Sequence, residues 1–133
     1  MKITGYSKIK LMETADYWRV PKEYFDPLYN YLIFGFSPGG FWTAVLANDF
    51  HGAIQRSHPA NQVEALKHVS GWINDLFPRI SWGSYAKVDG WTEMSSQQRR
   101  RHLEGADLIY TEQQEVQLAL KGTPIKPEPL LFG

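Results

Sequence analysis

The chain has 133 residues, 43% of them hydrophobic and 21% charged, which suits one globular domain rather than a disordered segment. Fourteen basic residues balance fourteen acidic ones, so no global field draws in nucleic acid or an anionic membrane. With no cysteine there are no disulfides, no thiolate metal ligands and no cysteine nucleophile.

In chain order, the first twenty residues are the least regular. Ile3, Ile9 and Leu11 fall on odd positions, which predicts an extended segment or short strand. Pro21 and Glu23 mark a helix start, with proline tolerated in the first turn and glutamate favourable to the dipole. Asp26-Pro27 is a second start signal. That helix carries Leu28, Tyr31 and Leu32 on one face and ends near Gly35. Ser37 then reads as a cap, with Pro38 at the first helical position and a helix over about 38–56. Its sequence is apolar nearly all round, the pattern of a buried central helix. His58-Pro59 stops it.

The next helix is expected at about 60–77, with Val63, Leu66, Val69, Ile73 and Leu76 at helical spacing and Pro78 at its end. Ser81 to Ser84 is a turn, followed by a short helix near 84–90. Ser95 and Gln98 form a capping box for a helix at 96–105, and Thr111 and Gln114 form another for a helix closed by Gly122. The fold expected is mainly α. It is a compact bundle of four or five helices over residues 1–122, followed by a proline-containing tail at 123–133. Such a tail is usually mobile, although its apolar tip, Leu130-Leu131-Phe132, could pack on the body or on a neighbouring subunit.

At about 100° per residue, Phe41, Val45, Asn48, Asp49, Gly52 and Arg56 share one sector of the 38–56 helix. Polar groups on a buried helix must be satisfied by partners or must bind something. Asn48, Asp49 and Arg56 are therefore candidate ligand-binding residues, and their plainer role is to tie neighbouring loops together. Gly39 and Gly40 join them, because exposed N–H groups at a helix start suit an anion. Arg99, Arg100 and Arg101 form the one basic run. They read as a solvated face or as partners for Glu104 and Asp107, and alternatively as a phosphate-contacting patch on nucleic acid.

Several chemistries lack support. His51, His58 and His68 stand seven and ten apart, without the three- or four-residue step that places two ligands on one metal, so no metal and no cofactor are expected. No nucleophile elbow, phosphate loop or dinucleotide fingerprint is present, and no catalytic residue is assigned. No apolar run approaches the ~20 residues of a membrane span, and the N-terminus lacks the apolar centre of a signal peptide. A cytoplasmic location is the expectation.

The block Val20-Pro21, Tyr31 to Phe41, Ala44 to Asp49, Ala53, Arg56, Asn61 and Trp82-Gly83-Ser84 resembles a group of short uncharacterised proteins encoded by phages and prophages. The shared core is P-G-G-F-x-x-A-V-L-x-N-D, and the resemblance spans about residues 20–91. It implies a viral origin and a role outside housekeeping, and it transfers no functional residue. The function expected is non-enzymatic binding of a host protein, or of a small anionic ligand such as a signalling nucleotide, in an anti-defence role. Homodimerisation is compatible with that. The alternatives are nucleic-acid binding through Arg99 to Arg101 and a structural virion or assembly component.

Overall fold

A computed structural model describes residues 3–57 and 63–132. Among these, eight α-helices and one 3₁₀ turn form the architecture, and there is no strand. The mainly α class is as expected, but the helices are more numerous and shorter than four or five. The stop at His58-Pro59, the start of the following helix and Gly133 lie outside the described residues.

The first helix, α1, covers Gly5–Tyr17, where an extended segment was expected. Burial explains the difference. Ser7, Leu11 and Ala15 recur at four-residue steps, with Met12 beside them, and all are buried. The odd positions of Ile9 and Leu11 happen to fit that stripe. Helix α2, Lys22–Phe34, is the true centre of the fold. Phe25, Leu28, Tyr31, Leu32 and Ile33 are each at most 1% exposed. Burying a side chain of this size contributes on the order of 2 kcal/mol. Pro27 sits within α2 without ending it.

Aromatic side chains with satisfied polar ends join α2 to later elements. Tyr31 Oη donates to the Ser81 carbonyl at 2.7 Å, and the Tyr31 carbonyl accepts from Trp91 Nε1 at 3.1 Å. Burial pushes the Tyr31 phenol well above its ordinary pKa, with Asp89 adding to the shift, so it stays a donor. Trp72 stacks on Phe25 and donates to Thr14 Oγ1 at 2.9 Å. Trp72 belongs to α5, Val63–Leu76, which buries Val69, Trp72 and Ile73.

The expected 38–56 helix is two helices, α3 (Gly40–Leu46) and α4 (Phe50–Arg56). Asn48 takes the left-handed conformation at φ 62°, which asparagine tolerates better than most residues. Its N–H donates to the Val45 carbonyl, and that of Asp49 donates to the Ala44 carbonyl. This is the Schellman pattern of a helix end. Asp49 then caps α4 by accepting from the Gly52 N–H at 2.9 Å. Nor does Ser37 cap α3. Gly39 holds that position at φ 90°, and no side chain caps it.

The remaining starts match their signals. Ser84 caps α6 (Tyr85–Glu93), after the 3₁₀ turn Arg79–Ser81. Both capping boxes are formed, at α7 (Ser96–Gly105) and α8 (Glu112–Leu120). Helices α1, α7 and α8 end in the same Schellman pattern, with Arg19, Asp107 and Gly122 left-handed. The residues that follow Arg19 and Asp107, Val20 and Leu108, are fully buried, which locks those turns to the core.

Residues 123–132 have no helix or strand but do not float free. The Thr123 carbonyl accepts from Tyr6 Oη at 2.5 Å, and Lys126 faces Glu13 at 3.7 Å. Leu131 is 4% exposed, and its N–H donates to Asp16 Oδ1 at 2.8 Å. The Phe132 carbonyl accepts from the Lys22 N–H at 2.9 Å. The segment is a strap along α1 that finishes at the first turn of α2.

Candidate functional site

The sector chosen from sequence lies at the surface, where α3, α4 and α6 meet, and not inside a central helix. Asn48 and Arg56 are exposed and Asp49 is half-buried. Asp49 is the organising group. Its Oδ1 accepts from the Gly52 N–H, and its Oδ2 accepts from Tyr85 Oη at 2.5 Å. These bonds, with Tyr85 first and the Gly52 amide second, hold the Asp49 carboxyl below its ordinary pKa, with help from Arg56 and His51. The same bond pushes the Tyr85 phenol up. The pair is a charged acceptor and a neutral donor at neutral pH, and no proton is poised to move between them.

Arg56 completes the corner. Its Nη1 donates to the Gly52 carbonyl at 3.1 Å. A Cβ placed on Gly40 would stand 3.2 Å from Arg56 Cδ, so the arginine lies beside the start of α3. Gly52 must be glycine because a Cβ there would meet Asp49 Oδ2 at 2.3 Å. Gly39 and Gly40 are exposed, and the Gly39 N–H lies 3.5 Å from Ser37 Oγ. The structure thus brings Gly40, Asp49 and Arg56 together. Asn48 acts through its backbone as the turn between α3 and α4.

Sequence reasoning missed three residues of this corner. Tyr85 is 36 positions from Asp49, and no local signal links them. The 38–56 stretch as a whole reads as a buried helix, yet Phe50 and Ile54 within it are 79% and 53% exposed. Once α4 is seen to begin at Phe50, their four-residue spacing places them on one face. A cleft of about 70 Å³ lies between α1, α8 and the strap, with Tyr6, Lys10, Glu13 and Tyr110 among its walls. A hollow of about 380 Å³ lies along α8, walled by Gln113, Gln117 and Lys121 among others.

The arginine run lies elsewhere, and two of its three members are buried. Arg99 is 5% exposed and donates from Nη1 to the Met94 carbonyl and from Nε to that of Ile33 at 3.4 Å. It fastens the C-terminus of α2 to the end of α6, and burial lowers its pKa. Arg100, 4% exposed, donates to Glu115 Oε1 at 2.6 Å, to Glu104 Oε2 at 3.0 Å and to the Tyr110 carbonyl at 3.2 Å. Glu115 accepts in turn from the Thr4 N–H at 2.9 Å, from Thr4 Oγ1 and from Ser7 Oγ at 2.7 Å. Only Arg101 of the run faces solvent.

Among the described residues, no three histidine, aspartate or glutamate side chains converge as metal ligands. No described helix is long and apolar enough to cross a membrane. No protein-family model, no curated protein and no solved structure matches this chain.

Proposed function

We propose that the protein acts by binding another protein through the exposed face of α4, as a phage-type accessory protein directed at a host factor. The observation that carries this reading is the Phe50–Ile54 pair. These large apolar side chains share one face of a seven-residue helix and remain 79% and 53% exposed. Adjacent exposed apolar side chains on an anchored element supply the apolar centre that an interface buries. Asp49, Gly52, Arg56 and Tyr85 hold the start of α4 rigid, which lowers the ordering cost of binding. Arg56 and His51, both exposed, give the face a polar rim.

A small anionic ligand has less support. Asp49 puts a carboxylate beside Arg56, where it competes with an anion, and α3 has only seven residues. The nucleic-acid alternative is left with Arg101 as its one exposed arginine.

The test uses the full chain as bait in bacterial lysate, with Phe50→Asp/Ile54→Asp and Arg101→Ala variants beside it. A partner retained by the parent chain and by Arg101→Ala, but lost by the α4 variant, supports the reading. Equal retention by all three overturns it, as does loss with Arg101→Ala alone.

A further inference from the structure

The C-terminal strap occupies a built peptide-binding groove. Its walls are α1 and the first turn of α2, and it recognises backbone as well as side chain. Asp16 Oδ1 accepts the Leu131 N–H, and the Lys22 N–H donates to the Phe132 carbonyl at 2.9 Å, so two consecutive residues are clamped by their main chain. Between those bonds Leu131 is the apolar anchor at 4% exposure, while Leu130 and Phe132 on either side are 91% and 50% exposed. Arg19 stands over the Phe132 ring at 5.3 Å. The groove also completes α2. Pro21 precedes that helix and makes no side-chain cap bond, so the strap's carbonyl satisfies an N–H that the helix leaves open.

The strap is pinned at intervals, by Tyr6 at Thr123 and by Glu13 at Lys126, and only its last residues are sealed from solvent. Positions 123–128 are exposed. Pro124, Pro127 and Pro129 keep it extended and remove three backbone donors that could anchor it. Docking also places Leu131 at φ 43°, a left-handed conformation that a branched side chain adopts at a cost. The polar contacts described for the strap beyond Thr123 run to Glu13, Asp16 and Lys22, all on α1 and the first turn of α2. An identical copy can therefore supply the same contacts in the same geometry.

We propose that the α1–α2 groove is an interface between two copies of this chain, formed by exchange of the straps. In the closed monomer the strap docks on its own groove. In the dimer each strap leaves at Gly122-Thr123 and seats Leu131 and Phe132 on the partner copy. Exchange of an identical element is a low-cost route to a dimer, because it needs no new interface. The balance is set by protein concentration against the effective concentration of the tethered strap.

The test uses the unmodified chain. Copies labelled with ¹⁵N and unlabelled copies are mixed, incubated at a series of concentrations and joined with a zero-length amine–carboxylate cross-linker. The pair to read is Lys126–Glu13, 3.7 Å apart when the strap is docked. Cross-linked peptides of mixed mass are expected, with a share that climbs with concentration towards parity with same-mass ones. They should be lost in Leu131→Ala, whose folding is checked by circular dichroism. Same-mass products alone at every concentration overturn the proposal. So do mixed products that persist in Leu131→Ala, because they would arise from contacts outside the groove.

Discussion

Arg100 on α7 and Arg56 on α4 carry the same guanidinium in opposite settings. Arg100 is 4% exposed and is matched by Glu115, Glu104 and the Tyr110 carbonyl. The carboxylate it meets also takes hydrogen bonds from Thr4 and Ser7, so one network ties α1, α7 and α8 together. Arg56 is exposed, with one bond to the Gly52 carbonyl within its own helix. The first arrangement holds the fold together, and the second leaves charge at the surface beside apolar side chains. A buried charge persists only where its partners fully replace water. Helices α1, α7 and α8 close over the Arg100–Glu115 pair, whereas the corner built by α3, α4 and α6 leaves Arg56 in solvent.

Breaking the buried pair should have the largest effect. Arg100→Ala is expected to cost about 3–5 kcal/mol of stability in urea denaturation, because it strands Glu115 in the interior. A loss below about 1 kcal/mol would mean that the network is not structural. Glu115 also predicts how stability responds to acid. Burial raises the carboxyl's pKa, but the bonds from Thr4, Ser7 and Arg100 outweigh it and hold the folded value below the ordinary 4.5. Its contribution is then complete above about pH 4.5 and is lost as pH falls through the lower folded value. Glu115→Gln should show lower Tm at neutral pH and a flatter acid limb. An acid limb parallel to that of the parent chain would contradict the assignment.

Two glycines at positive φ, Gly35 beside Arg99 and Gly39 at the start of α3, extend the comparison. A Cβ on Gly35 would stand 2.6 Å from Arg99 Nη1, while one on Gly39 would meet nothing within 4 Å. Gly35→Ala should therefore cost roughly 2–3 kcal/mol in urea denaturation, as backbone strain and the displaced Arg99 add. Gly39→Ala should cost roughly 1–3 kcal/mol from the backbone alone, because φ 90° with ψ 165° is a region that almost only glycine enters. A Gly35→Ala loss of about 1 kcal/mol, no more than the left-handed backbone itself costs, would show that Arg99 moves aside freely.

Smaller still is the effect expected at the turn. Asn48→Gly should leave stability unchanged or raise it by up to about 1 kcal/mol, because glycine relieves the φ of 62°. A clear loss would reveal work done by the asparagine side chain. Last, Phe50→Asp with Ile54→Asp should shift stability by no more than about 0.5 kcal/mol while abolishing partner binding. A cooperative loss of folding would show that this face belongs to the core.

Much of the fold was legible in short stretches. Ser95-x-x-Gln98 and Thr111-x-x-Gln114 state their helix starts, because a capping box needs only residues three apart. Gly35 and Gly122 mark ends for a similar reason. Asn48-Asp49 carried an equally local message, a left-handed stop followed by an aspartate cap, hidden by the apolar residues around it. The candidate corner was legible in part. Asp49, Gly52 and Arg56 are linked by steps of three and four residues along α4, but Tyr85 joins them only through space.

By itself the sequence determined the helical class and most helix ends, since caps and turns are settled by hydrogen bonds within about four residues. Only the tertiary structure decided which charges are buried. Arg99 and Arg100 read as surface residues until the Ile33 carbonyl, 66 positions away, and Glu115, 15 positions away, are brought against them. Tertiary structure likewise decided that Leu131 is buried, because its seat is built by Asp16 and Lys22 from the opposite end of the chain. Burial and charge satisfaction are sums over neighbours in space, and no window along the chain contains those neighbours.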